Sequence, residues 1–173
     1  MNGGQSNFDT IRYEYFRDRT VMLEALKSGT IDWRSENSSK FWATAYDVPA
    51  VKDGRLIKRE FTHERGTGMQ GFVMNTRKPI FSDVKVREAL TYLWDFEWVN
   101  KTIMYGAYTR TDSYFENSDL EATGLPGPEE LKVLETLREQ LPQRVFTEDY
   151  QPRVTDGSGN RLQHLRTAMA LLE

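Results

Sequence analysis

The chain has 173 residues, 38% hydrophobic and 28% charged, a polar composition that still carries enough apolar material to build one core of ordinary size. Its formal net charge of -3 supplies no general attraction to nucleic acid or to an anionic membrane, and no apolar run approaches the roughly 20 residues that span a bilayer. The absence of cysteine excludes disulfides, thiolate metal sites and cysteine nucleophiles, which leaves His63 and His164 as the imidazole donors.

Met1-Asn2-Gly3-Gly4-Gln5 has neither the basic opening nor the apolar stretch of an export signal, so if the protein is exported its signal is expected elsewhere. Residues 8–16 alternate, with Ile11, Tyr13 and Tyr15 on one side and Arg12 and Glu14 on the other, which predicts a half-buried strand. Asp18 is placed to cap a helix carrying Met22, Ala25 and Leu26, and Gly29 suits the left-handed position that ends it. A short strand is expected at 31–33. Phe41, Trp42 and Tyr46 predict a short helix over 38–46 that breaks before Pro49, and another strand is expected at 56–62.

Residues 72–75 are apolar and flanked by turn formers including Pro79, and so predict a fourth strand. Ser82 can cap the helix that follows, whose Val86, Ala89, Leu90 and Leu93 form an apolar stripe at i, i+3, i+4 and i+7. A second helix over 99–105 follows a bend near Asp95, residues 106–126 make a long ordered loop, and 129–141 is helical up to Pro142. Asn160 caps a last helix with Leu162, Leu165, Met169 and Leu172 at helical spacing. That helix lacks a C-terminal stop signal, so the chain is expected to be a piece of something longer.

Gly66-Thr67-Gly68-Met69-Gln70-Gly71 matches G-x-G-x-x-G, but a dinucleotide cradle needs a helix N-terminus directly after the glycines, and Phe72-Val73-Met74 reads as strand. Backbone access is the better use: without Cβ atoms, the peptide groups here can approach a ligand. A plain glycine-rich turn or bulge accounts for the same residues equally well. Asp156-Gly157-Ser158-Gly159-Asn160 opens like a calcium loop, yet Arg161 stands where Gly is needed and Thr167 where a bidentate Glu is needed, so a turn with a helix cap is expected. His63-Glu64 is not completed to H-E-x-x-H, because Thr67 occupies the fifth place. The arginines at 12, 17, 19, 55, 59 and 65 are best read as surface ion-pair partners of nearby acids. Trp33, Arg34, Ser35, Glu36 and Asn37 form a polar and aromatic cluster at a predicted strand end, suited either to ligand groups or to a core Trp with a capping Asn.

In order, these segments resemble the middle of an extracytoplasmic solute-binding protein of family 5, the peptide, dipeptide and nickel-binding group of ABC importers. The likeness covers nearly the whole chain. It begins with Asn7-Phe8-Asp9-Thr10-Ile11-Arg12-Tyr13-Glu14-Tyr15-Phe16-Arg17-Asp18 and Glu24-Ala25-Leu26-Lys27-Ser28-Gly29-Thr30-Ile31-Asp32. Its most specific piece is Asn75, Pro79 and then Phe81-Ser82-Asp83-Val84-Lys85-Val86-Arg87-Glu88-Ala89-Leu90, similar to the family's "N…PF.D.rVR.Al". The helix from Arg161 resembles one that the family completes with Ala-Gly-aromatic. Val145-Phe146-Thr147 and Asp156-Gly157-Ser158-Gly159, together with 13–18 and 31–36, look most like the oligopeptide and microcin C-binding branch.

The resemblance implies an α/β fold, part of a two-lobed periplasmic binding protein (type II) architecture with a mixed sheet and flanking helices, incomplete in this chain. Residues 1–66 are then the end of lobe one, and 67–173 the crossover strand and first part of lobe two. Ser35, Glu36 and Asn37 align with a turn lining the cleft, and Thr67, Gly68, Met69 and Gln70 with the crossover strand that presents backbone to ligand. The implied function is binding without catalysis or cofactor. A peptide or peptide-like ligand is held between the lobes, which close by hinge motion and are recognised by ABC permease subunits at the periplasmic face, with neither nucleic acid nor direct membrane insertion involved. The competing reading is a self-contained nucleotide-binding module or enzyme using the 66–71 loop, and a third is an interaction fragment without ligand.

Overall fold

A computed structural model describes residues 7–173; the expectation for Met1 to Gln5 lies outside them. The described residues fall into two compact units, one ending at Arg59 and the other covering Glu60–Glu173.

In the first unit, Asp18 caps helix α1 (Arg19–Lys27) as expected, its carboxylate accepting from the amides of Thr20 at 2.7 Å and Val21 at 3.0 Å. Those two bonds hold the Asp18 carboxyl below the usual aspartate range. Gly29, at φ 75°, ends the helix. The Thr30 amide reaches Ala25 O at 2.8 Å and the Gly29 amide reaches Leu26 O at 3.0 Å, the pair of bonds that satisfies the last carbonyls of a glycine-stopped helix. Ser38 caps α2 (Ser39–Thr44), and Pro49 opens a further turn, α3 (Pro49–Lys52). Proline's fixed φ and missing N–H cost nothing at a helix's first position, so Pro49 can open α3. Leu23, Leu26 and Tyr46 form the buried core of this unit, with Ile31, Phe41, Trp42, Ala45, Val51 and Leu56 packed around them.

The second unit places α4 (Pro79–Ser82) before α5 (Val84–Thr91), whose cap is Asp83 instead of Ser82. Helix α6 (Phe96–Thr102) begins at the expected bend, because the Asp95 carboxylate takes the Trp98 amide at 3.0 Å and turns the bend into a cap. Residues 106–126 are irregular. The predicted helix at 129–141 divides into α7 (Pro128–Leu134) and a 3₁₀ segment (Glu135–Gln140), and α8 (Arg144–Thr147) follows. The tighter winding eclipses residues three apart, and the Glu135–Arg138 ion pair uses that geometry. Helix α9 (Leu162–Leu172) packs on α5, with Ala89 and Ala168 buried where they meet. An open apolar groove of about 320 Å³ remains beside them, lined by Phe81, Val86, Leu90, Leu165 and Met169 among others. Segment 153–160 folds onto the start of α6. Thr155 donates its amide to Glu97 at 2.9 Å and its hydroxyl to Asp95, and a side chain at Gly159 would meet the Trp98 ring at 3.0 Å. Partial burial pushes the Glu97 carboxyl up, but the Thr155 bonds, the bond from its own amide and the Arg110 charge together leave the group below its ordinary range.

The expected α/β fold with a mixed sheet is not observed. Among the described residues no strand forms, and the regular structure is helical. Segments 8–16, 31–33, 56–62 and 72–75 have the composition of strands without a ladder to join. Tyr15 and Val73 are each 93% exposed, and the alternation in the first segment buries neither face. A strand is stable only in a ladder with a neighbour that takes its N–H and C=O groups, and none of these segments joins such a ladder here.

Candidate functional site

The candidate residues lie in two segments, one in each unit. In the first unit, the turn at 34–38 is built around a buried ion pair. Arg34 and Glu36 meet at 2.9 Å with side chains 4% and 3% exposed. Glu36 also accepts the Tyr46 hydroxyl at 2.9 Å and the Ser38 amide at 3.0 Å, so both of its oxygens are engaged within the protein. Arg34 further donates to Arg19 O at 3.1 Å and lies 5.7 Å from the Phe41 ring centre, while its Nε is buried without a hydrogen-bond partner. Burial, followed by the Glu36 hydrogen bond and charge, pushes the Tyr46 phenol up to about 12.

This arrangement separates the roles within the predicted cluster. Glu36 holds the turn, and Ser35 and Asn37 on either side of it face solvent. Trp33 is 71% exposed and Ser38, not Asn37, caps α2, so a core Trp with a capping Asn is excluded. Beside the turn, the buried Tyr46 and the half-buried Trp42 pair with ring centres 5.9 Å apart, and the Lys58 ammonium lies 4.2 Å from the Trp42 centre.

In the second unit, Thr67, Gly68, Met69 and Gln70 are all exposed. Gly66, Gly68 and Gly71 have no left-handed φ, and a Cβ at Gly68 or Gly71 would meet nothing within 4 Å, so neither turn geometry nor crowding demands glycine at those two positions. The next helix does not begin until Pro79, so no helix N-terminus faces these glycines and the dinucleotide cradle is absent. What the segment has is accessible backbone, anchored at one end. The Thr67 amide donates to Glu116 O at 2.8 Å. The Asn117 side-chain amide donates to His63 O at 2.9 Å and Arg65 O at 2.8 Å.

Sequence reasoning missed this anchor and the acidic trio beside it. The carboxylate oxygens of Asp112, Glu116 and Glu121 come within 4.8 Å of one another. Glu121 accepts the Asn117 amide at 2.6 Å, and Glu116 accepts the amides of Asp112 at 3.2 Å and Ser113 at 3.4 Å. Desolvation and then the charges of Glu116 and Glu121 push the Asp112 carboxyl up. Four acids within ten positions of a loop, at 112, 116, 119 and 121, were the available signal, but only the turn that brings three of them together shows that two hold backbone amides. The 156–160 segment is a turn, but the expected Asn160 cap is not formed: the cap position of α9 is Arg161, with no side-chain cap bond. Asp156 accepts the Ser158 amide at 2.9 Å, Gly157 and Gly159 have φ 67° and 80°, and Asn160 accepts the Leu162 amide at 3.3 Å.

Accessible backbone and a rigid polar turn suit the binding of a polar chain-like ligand, and comparison with known proteins gives the class. The profile of the bacterial extracellular solute-binding proteins, family 5 Middle, matches residues 1–167. The chain belongs to this family. It is 43% identical, over its whole length, to the probable peptide-binding protein YejA of Agrobacterium fabrum, and 42% identical over 99% of its length to the uncharacterized protein YejA of Escherichia coli. The peptidoglycan-binding protein YepA of Agrobacterium fabrum is 39% identical over 98% of this chain. The chain spans 28% of the length of either YejA and 29% of YepA. No helix among the described residues is long and apolar enough to cross a membrane.

Proposed function

We propose that this chain is the peptide-handling part of the substrate-binding component of an ABC importer, taking up oligopeptides or peptide-like compounds in the periplasm and delivering them to permease subunits. The observation that carries this reading is family membership over residues 1–167, joined to 43% identity with a probable peptide-binding protein. Its chemistry is reversible binding, in which no covalent bond changes. Ser35, Glu36 and Asn37 form one ligand-binding segment, with Glu36 acting through the turn it holds. Thr67, Gly68, Met69 and Gln70 form the other, offering peptide N–H and C=O groups to an extended ligand backbone. Backbone bonds hold any sequence, and intervening waters absorb differences between ligand side chains. The assignment of residues 1–66 to the end of one lobe and 67–173 to the start of a second belongs to the same proposal. The relative named as peptidoglycan-binding widens the ligand class to peptide-like compounds.

Titration of the isotopically labelled 173-residue chain with penta-alanine, followed by amide resonances, tests the proposal. Shifts are expected at 35–37 and 67–70, with dissociation constants in roughly the millimolar range, because few contacts are offered and all are exposed. A soluble peptidoglycan fragment in a parallel titration separates peptide from peptide-like preference. Absence of shifts in those segments, combined with stabilisation by NAD or ATP, overturns it.

A further inference from the structure

Asn117 has a geometry that the acidic loop alone does not require. Its φ of 57° lies in the left-handed region, which asparagine tolerates better than most residues. Its side-chain amide carries two hydrogens, and both are used. They reach the carbonyls of His63 and Arg65, more than fifty positions away in sequence, at 2.9 and 2.8 Å. The preceding residue, Glu116, supplies the carbonyl that accepts the Thr67 amide at 2.8 Å. Alternate residues 63, 65 and 67 are thereby tied to two consecutive residues of the loop. The loop is itself braced, with Glu121 on the Asn117 amide at 2.6 Å and the Ser118 hydroxyl on Phe115 O at 2.6 Å. Gly66 lies against this brace, since a Cβ there would stand 3.9 Å from the Ser118 Cβ and 4.0 Å from Glu116 O.

We infer that Asn117 is the positioning residue of the candidate peptide-binding backbone: by clamping residues 63 and 65 beside the Glu116–Thr67 bond, it sets the point from which Thr67, Gly68, Met69 and Gln70 are presented. The inference rests on the reading of those residues as peptide contacts. Few side chains other than asparagine combine ease at positive φ with a two-hydrogen donor. Glycine keeps the φ and loses both donors. Aspartate keeps size and shape but faces the two carbonyls with oxygens that cannot donate.

The experiment compares the wild-type 173-residue chain with Asn117→Gly and Asn117→Asp, reading amide hydrogen exchange without ligand and resonance shifts on addition of penta-alanine. In both variants the Thr67 amide is expected to exchange faster by roughly an order of magnitude, the fold-change of one net hydrogen bond. Penta-alanine shifts at 67–70 weaken in parallel, while amides of α5 and α9 keep their protection. Unchanged Thr67 exchange overturns the inference, as does loss of protection spread equally through α5 and α9, which marks a general structural role. If the wild-type chain gives no penta-alanine shifts, the peptide reading fails, while faster Thr67 exchange in both variants still upholds the clamp.

Discussion

The two units build their interiors differently. In the first, Leu23, Leu26 and Tyr46 are buried at 3 to 7% exposure and sit beside a buried Arg34–Glu36 pair, so apolar packing and a polar network share one small interior. In the second, the α5–α9 contact buries only two alanines, and Leu165 and Met169 remain 41% and 62% exposed along an open groove. Similar amphipathic stripes therefore yield unlike cores. A stripe records which face can be buried, and the amount of burial depends on what the tertiary structure places against it.

The largest contrast is expected from the polar network. Arg34→Ala leaves Glu36 buried without its cation and should destabilise the first unit by about 3–5 kcal/mol, measured by denaturant unfolding. A loss below about 1 kcal/mol would mean that the pair is solvated and the turn is held by other contacts. Next comes truncation of matched leucines. Leu23→Ala removes a fully packed side chain and should cost about 2–5 kcal/mol, whereas Leu165→Ala, already facing an open groove, should cost about 1 kcal/mol or less. Equal costs would erase the distinction between the two interiors.

The smallest effect concerns alkaline pH. The Tyr46 phenol is raised from an ordinary value near 10 to about 12. The folded state therefore keeps a proton that the unfolded state loses first. Its contribution is fully present below about pH 10 and declines as pH rises through about 12. Ultraviolet titration of tyrosinate should show one late-titrating tyrosine, and its absence in Tyr46→Phe checks the assignment.

Local signals were legible where one residue type meets one backbone demand. Asp18 capping α1, Gly29 at positive φ and the stripe at Val86, Ala89, Leu90 and Leu93 each follow from chemistry within a turn or two of helix. Prolines were harder. Pro49 was read as a stop and Pro79 as part of a turn, yet both open helices, because proline's geometry fits a first turn as well as a break. The four predicted strands failed for a further reason: alternation and β-branching describe a face, and a strand also needs a neighbour. In the candidate site, Ser35, Asn37 and the 67–70 backbone were proposed from the sequence, and the structure places them at the surface. The saturation of Glu36 by Arg34, Tyr46 and Ser38, and the Asn117 clamp, depend on partners up to more than fifty positions apart that no local pattern records.

Sequence alone determined the family, because Phe81-Ser82-Asp83 with Val86-Arg87-Glu88-Ala89-Leu90 and the segments around it form an ordered pattern that survives whatever their surroundings. It also determined the Asp18 start and the Gly29 stop of α1, since those bonds close within a few residues. Tertiary structure alone decided which amphipathic faces became cores, which extended segments stayed outside a sheet, and which polar side chains were consumed internally. Those outcomes turn on burial and on hydrogen bonds between distant residues, and both exist only once the chain has folded back on itself.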